Sequence, residues 1–163
     1  MSAAAIIEQL DVLIKLHEHL NTLAVQKTEV IKKGDMERIN KLLNEEQKYV
    51  KAIQQVENKR QQYVQDFFKQ GRTLQLAPNL LDVIEAAPQP EKETLTKQRS
   101  QLLQIVEELK NHNSLNQQLI YHSLQYVNVS LDLLRPQQTN LNYSKTNTGN
   151  QRQASRGMFD SKA

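Results

Sequence analysis

Four histidines and a few acidic pairs are the side chains of this sequence whose types could do chemistry. His17-Glu18-His19 has the ligand types of a metal site, but residues i and i+2 of a helix point to different sides and cannot share an ion. His112 and His122 fall on one predicted helix, about 15 Å apart along its axis. Both pairs read as solvent-facing or seam-edge histidines. Glu45-Glu46 and Glu107-Glu108 are adjacent in sequence and diverge on a helix, so they read as a solvated face and not as an acid–base pair. The chain has no cysteine, which removes thiolate zinc, iron–sulfur and thiol-nucleophile chemistry together. Nor does it contain a glycine-rich phosphate loop, a His-Glu-x-x-His pair or a nucleophile elbow. No catalysis, cofactor or metal is predicted.

The scaffold that would position any site has room for one domain in 163 residues. Four Gly, four Pro, no Trp and 5% aromatics are too few for a sheet-rich fold with tight turns. Glutamine and asparagine number 21 and 13, a composition suited to long helices with a narrow buried stripe and a wide wet face. The net charge of +3 lies wholly beyond Pro136, where Lys145, Arg152, Arg156 and Lys162 oppose Asp160; the body before it is neutral. With no dense basic patch, nucleic acid is not an expected partner. Glu8 and Asp11 interrupt the apolar start, unlike a signal peptide, and no segment approaches the roughly 18 apolar residues of a membrane span. The expected location is the cytoplasm, without membrane insertion.

Apolar residues then dictate an all-α fold. From residue 3 to 33, Ile6, Leu10, Leu13, Leu20, Ala24 and Ile31 recur at spacings of three and four or their sums, with His17 and Lys27 on the same row. A second row, Ile7, Ile14, Leu23 and Val30, makes the stripe too wide for one partner helix and predicts a bundle. Gly34-Asp35 supplies a helix stop and then an N-cap. The second helix, 35–70, carries Met36, Ile39, Leu43, Val50, Ile53, Val64 and Phe67, with Glu46, Glu57 and Arg60 on the same rhythm as structural residues that set pairing. Residues 72–90 form a connector with one short helix opened by Pro78-Asn79 and closed by Pro88 and Pro90. A third long helix, 91–134, has the stripe Leu102, Val106, Leu109, Asn113, Asn116, Ile120, Leu124, Val127, Leu131 and Leu134, with the two asparagines as a structural polar step. The prediction is an elongated antiparallel three-helix bundle or coiled coil over 1–135, with a flexible tail over 136–163.

The last long helix outruns the second by about 8 residues, so Ile120, Leu124, Val127, Leu131 and Leu134 have apolar side chains with no expected cover, which marks an interaction surface. The tail is polar and aperiodic, a composition of disorder. Yet Leu141, Tyr143, Met158 and Phe159 are spaced through it like anchors of a segment that folds on binding a partner. These nine residues form the predicted substrate-binding set.

The order of motifs resembles the FlgN family of flagellar export chaperones. A Leu-x-x-Leu near Leu13, Lys27-x-Glu29, Gly34-Asp35, Glu46 and Glu57-x-x-Arg60 carry the likeness in the first half. Asn113-x-x-Asn116-x-x-Leu119-Ile120, Ser123-Leu124-x-Tyr126-Val127, Tyr143 to Gly149 and Met158-Phe159-Asp160-x-x-Ala163 carry it in the second. The resemblance implies a small cytoplasmic chaperone that binds the hook–filament junction proteins before type III export. It would prevent their premature assembly or aggregation and deliver them to the export gate, with Tyr143 as a gate contact. Without the resemblance the residues support only a helical interaction protein, and a coiled-coil adaptor or a self-associating scaffold, hence a homo-oligomer, stays open.

Overall fold

The computed structural model describes residues 2–71 and 76–134. They form four helices and no strand: α1 Ala4–Lys33, α2 Met36–Gln70, α3 Leu80–Ala86 and α4 Gln89–Leu134. The turn between α1 and α2 takes two residues. Gly34 has φ +69 in the left-handed region, where a β-carbon is strained although nothing lies in its way. Its N–H reaches the Ile31 carbonyl at 3.1 Å and that of Asp35 reaches the Val30 carbonyl at 3.4 Å, closing the end of α1. The Asp35 carboxylate then accepts the Arg38 N–H at 3.1 Å and starts α2. So short a turn leaves α2 no course but back along α1.

α3 begins with a reciprocal cap: Asn79 Oδ1 accepts from Leu81 and Asp82, and the Asp82 carboxylate accepts from the Asn79 N–H at 2.8 Å. α4 starts at Gln89, two residues before the expected Glu91. Pro90 is tolerated there because the N–H it lacks would have no partner in a first turn, and the Lys92 N–H bonding the Pro88 carbonyl at 2.9 Å makes the first helical link.

α1 is the centre of the bundle. It packs along both α2 and α4, whereas α2 and α4 make no close backbone approach to each other; α3 bridges them at one end. This explains the double apolar row of α1, of which Ile6, Leu10, Leu13, Ile14, Leu20, Leu23, Val30 and Ile31 are buried. α2 runs against α1, and α4 runs parallel to it. Three polar side chains of α4 fix the parallel register. Glu91 accepts from the Ala3 N–H and the Ser2 hydroxyl, both at 2.7 Å; Gln98 donates to the Ile7 carbonyl at 3.1 Å and to Asp11 at 2.6 Å; Asn116 bonds to Ala24. The offset is 88 residues at Ala3–Glu91 and again at Thr28–Asn116. Residues 122–134 therefore project past the end of α1, about 20 Å at 1.5 Å per residue.

Two apolar clusters hold the layers. At the base, Leu10, Val64, Phe67, Val83 and Leu95 join α1, α2, α3 and α4; nearer the Gly34 turn, Leu20, Leu23, Val30, Ile39 and Leu42 join α1 to α2, with Leu109 and Leu119 of α4 against them. The buried seams differ by one residue from the predicted ones at alternate positions. On α2 the seam is Ile39, Leu42, Glu46, Tyr49, Ile53, Val56 and Arg60; Met36, Leu43 and Val50 lie outside it, exposed. On α4 it is Leu95, Gln98, Leu102, Ile105, Leu109, His112, Asn116 and Leu119, leaving Val106, Asn113 and Ile120 exposed. The reason is the single neighbour: each outer helix turns one stripe to α1, and the adjacent apolar residue is left at its edge.

Candidate functional site

The polar residues singled out on the sequence fall into three separate arrangements. Lys27, on a mainly apolar row, reaches from α1 to Glu46 of α2 at 2.6 Å, with side chains 11% and 17% exposed. A lysine so placed needs its partner, because an isolated buried ammonium would be costly. Glu57 and Arg60, one turn apart on α2, form a two-pronged pair at 2.7 and 2.6 Å. Hydrogen bonds from Arg60 hold the Glu57 carboxyl below its ordinary pKa against the opposing effect of burial, helped by the Arg60 charge, by Gln61 and by the charge of His17. The pair is half-buried.

Asn116 is 2% exposed. Its amide donates to the Ala24 carbonyl at 2.9 Å, and its oxygen accepts the Thr28 hydroxyl at 2.5 Å. This is a buried polar lock between α1 and α4 with its donors and acceptors matched. Asn113, paired with it in the sequence reading, is exposed and has no part in that lock.

Alongside the lock the outer helices part and leave a groove of about 280 Å³. Leu20 and Lys27 of α1 are its floor; Ile39, Leu43, Glu46, Gln47 and Val50 of α2 form one wall; Leu109, Asn113, Asn116, Gln117 and Ile120 of α4 form the other. The α4 wall does not stop at the groove. Ile120 continues at helical spacing into Leu124, Val127, Leu131 and Leu134 on the projecting segment, all exposed, Leu134 by 79%. These five predicted residues thus share one face of one helix. Leu141, Tyr143, Met158 and Phe159, the other four, lie outside the described residues.

Two of the histidines singled out on the sequence are engaged locally. His17 Nδ1 lies 2.7 Å from the Leu13 carbonyl, and the His19 ring stacks on Tyr49 at 5.3 Å. Among the described residues no three His, Asp or Glu side chains gather as a metal site, and no helix is long and apolar enough to cross a membrane. Sequence reasoning missed Glu91, which closes the start of α1 from another helix; the Ala3 and Ser2 bonds hold its carboxyl below the ordinary value. No local signal marks such a long-range cap. It also missed Thr28, whose partner lies 88 residues away.

The FlgN protein family matches this chain over residues 1–151. The chain belongs to the FlgN family. It is thereby a flagellar export chaperone, of a family whose work is binding and not catalysis. It is also similar to an uncharacterized protein, YvyG, of Bacillus subtilis (strain 168), with 39% identity over 166 residues and full coverage of both chains. No solved structure matches it. Within the FlgN frame, the four-helix architecture supplies a packed bundle and one helix that outruns it.

Proposed function

We propose that this chaperone binds the hook–filament junction proteins in the cytoplasm, keeps them from assembling or aggregating early, and hands them to the export gate. The observation that carries the reading is the exposed apolar face of Ile120, Leu124, Val127, Leu131 and Leu134, which continues along α4 past the end of α1, where no other described element packs against it. Each such side chain contributes about 1.5 to 3 kcal/mol when fully covered, before ordering costs are subtracted. A client segment that becomes helical on assembly is suited to this face, since an amphipathic helix docks through residues spaced three and four apart. Leu141, Tyr143, Met158 and Phe159 extend the set, with Tyr143 assigned to the gate on the resemblance.

The test is titration of the purified chain with each junction protein, before and after Leu124→Asp and after deletion of 136–163. Either change should weaken binding at least tenfold, about 1.4 kcal/mol, with melting of the bundle nearly unchanged. Undiminished affinity of the Leu124→Asp chain would move the site off α4. An adaptor or self-associating scaffold would instead bind neither junction protein.

A further inference from the structure

Among the described residues, the space between α2 and α4 is filled at the base and open towards the Gly34 turn. At the base α3 wedges between them and buries Val83 and Ile84 against Phe67, Phe68 and Leu95. Higher up, no described residue occupies the corresponding place, and the walls leave Leu43 and Val50 of α2 and Ile120 of α4 exposed towards it. Resting on the function proposed above, we propose that this slot receives one amphipathic helix of the exported client and completes a local four-helix bundle.

Its dimensions fit that guest. Ile39–Val50 and Leu109–Ile120 are twelve-residue walls, about 17 Å or three helical turns each. Its chemistry says which helix. The one ammonium on the floor, Lys27, is already neutralised by Glu46, Asn116 is taken up by Ala24 and Thr28, and the remaining polar groups are the amides of Gln47, Asn113 and Gln117. A charged side chain pressed into such walls would find no counter-charge, whereas Ser, Thr, Asn and Gln would find donors and acceptors. The guest face is therefore apolar with uncharged polar residues. The α4 wall runs on without a break into Leu124 and Val127, so a helix docked on the projecting segment leads into the slot. This chain's own Met158-Phe159 is a poorer fit, being set between Arg156 and Asp160.

The absence of cysteine makes the test direct. Full-length Val50→Cys, Val127→Cys and, as a control on α1, Val25→Cys each take one environment-sensitive fluorophore and are titrated with a purified junction protein. The label at Val50 should shift to the blue and saturate together with that at Val127, while the one at Val25 stays unchanged. Val50→Glu should lower affinity at least tenfold without altering melting, and Leu43→Glu should do the same. A response at Val127 alone, with normal binding by Val50→Glu, overturns the slot and leaves the client on the projecting row. A blue-shifted Val50 label without client means another occupant and overturns it too: the tail if deleting 136–163 abolishes the signal, a second copy if dilution does. No binding by any variant, the unlabelled chain included, sinks the proposed function itself.

Discussion

At the base of the bundle α3 lies between α2 and α4 and Val83 is wholly buried; at the other end the same two helices face each other across open space and Val50 is half exposed. Both valines belong to the same kind of helical stripe. What separates them is a fourth element of seven residues, present at one end and missing at the other. An apolar side chain in a bundle is thus buried or exposed according to whether the chain supplies its own cover, and on the function proposed above the open end is where a partner would supply it.

Three experiments sharpen that contrast, from the largest effect down. Leu95→Ala removes a completely buried side chain from the base cluster and should cost about 2 to 5 kcal/mol in urea unfolding. Were the loss as small as that of an exposed site, the base would not be the packed end. Lys27→Met leaves Glu46 without its partner near the floor of the groove. Because both groups keep some solvent contact, the cost should lie below the about 3 to 5 kcal/mol of a fully buried broken pair. Adding Glu46→Leu should restore most of it; a double variant no better than the single would show that the pair itself stabilises the open end.

The smallest effect is acid dependence. The Glu57 carboxyl has a lowered pKa in the folded chain, so it contributes stability above the ordinary carboxylate value, about 4.3, and loses it as pH falls through the folded value. Glu57→Gln should be less stable than the parent at pH 7 by about 1 kcal/mol, discounted for partial exposure. The gap should close on acidification below about pH 4.3. A gap that stays constant to pH 3 would mean that the Arg60 bond does not act through charge. Glu91, lowered by its bonds to Ala3 and Ser2, loses its contribution in the same direction and is left unaltered in that comparison.

Helix ends were legible because their signals are local. Gly34-Asp35 and Asn79 each act within a few residues, and they stand where α1 stops and α2 and α3 start. The double row of α1 was legible too, since two neighbours demand two stripes. The seams of α2 and α4 were not, for a definite reason: the expected and the observed stripes both alternate steps of three and four, and at most of the alternate positions the sequence offers an apolar residue on either side of the choice. Leu42 and Leu43, Tyr49 and Val50, Ile105 and Val106, and Leu119 and Ile120 are adjacent pairs in which the first packs inward and the second is more exposed. Composition cannot decide between members of such a pair; the position of α1 does. The projecting row was readable as unpaired from helix lengths, but the groove was not, because it exists only through the failure of α2 and α4 to meet.

The parallel register of α1 and α4 has a consequence in time. Thr28 must wait for Asn116, and Ala3 for Glu91, both 88 residues later in the chain. At about 5 to 20 residues per second of synthesis, the wait lasts about 4 to 18 seconds. The α1–α2 hairpin can close through its two-residue turn long before that, with one face of α1 still wet. A newborn molecule of this protein thus passes through a stage in which it is itself an unshielded amphipathic hairpin, the same predicament from which it is proposed to protect its clients.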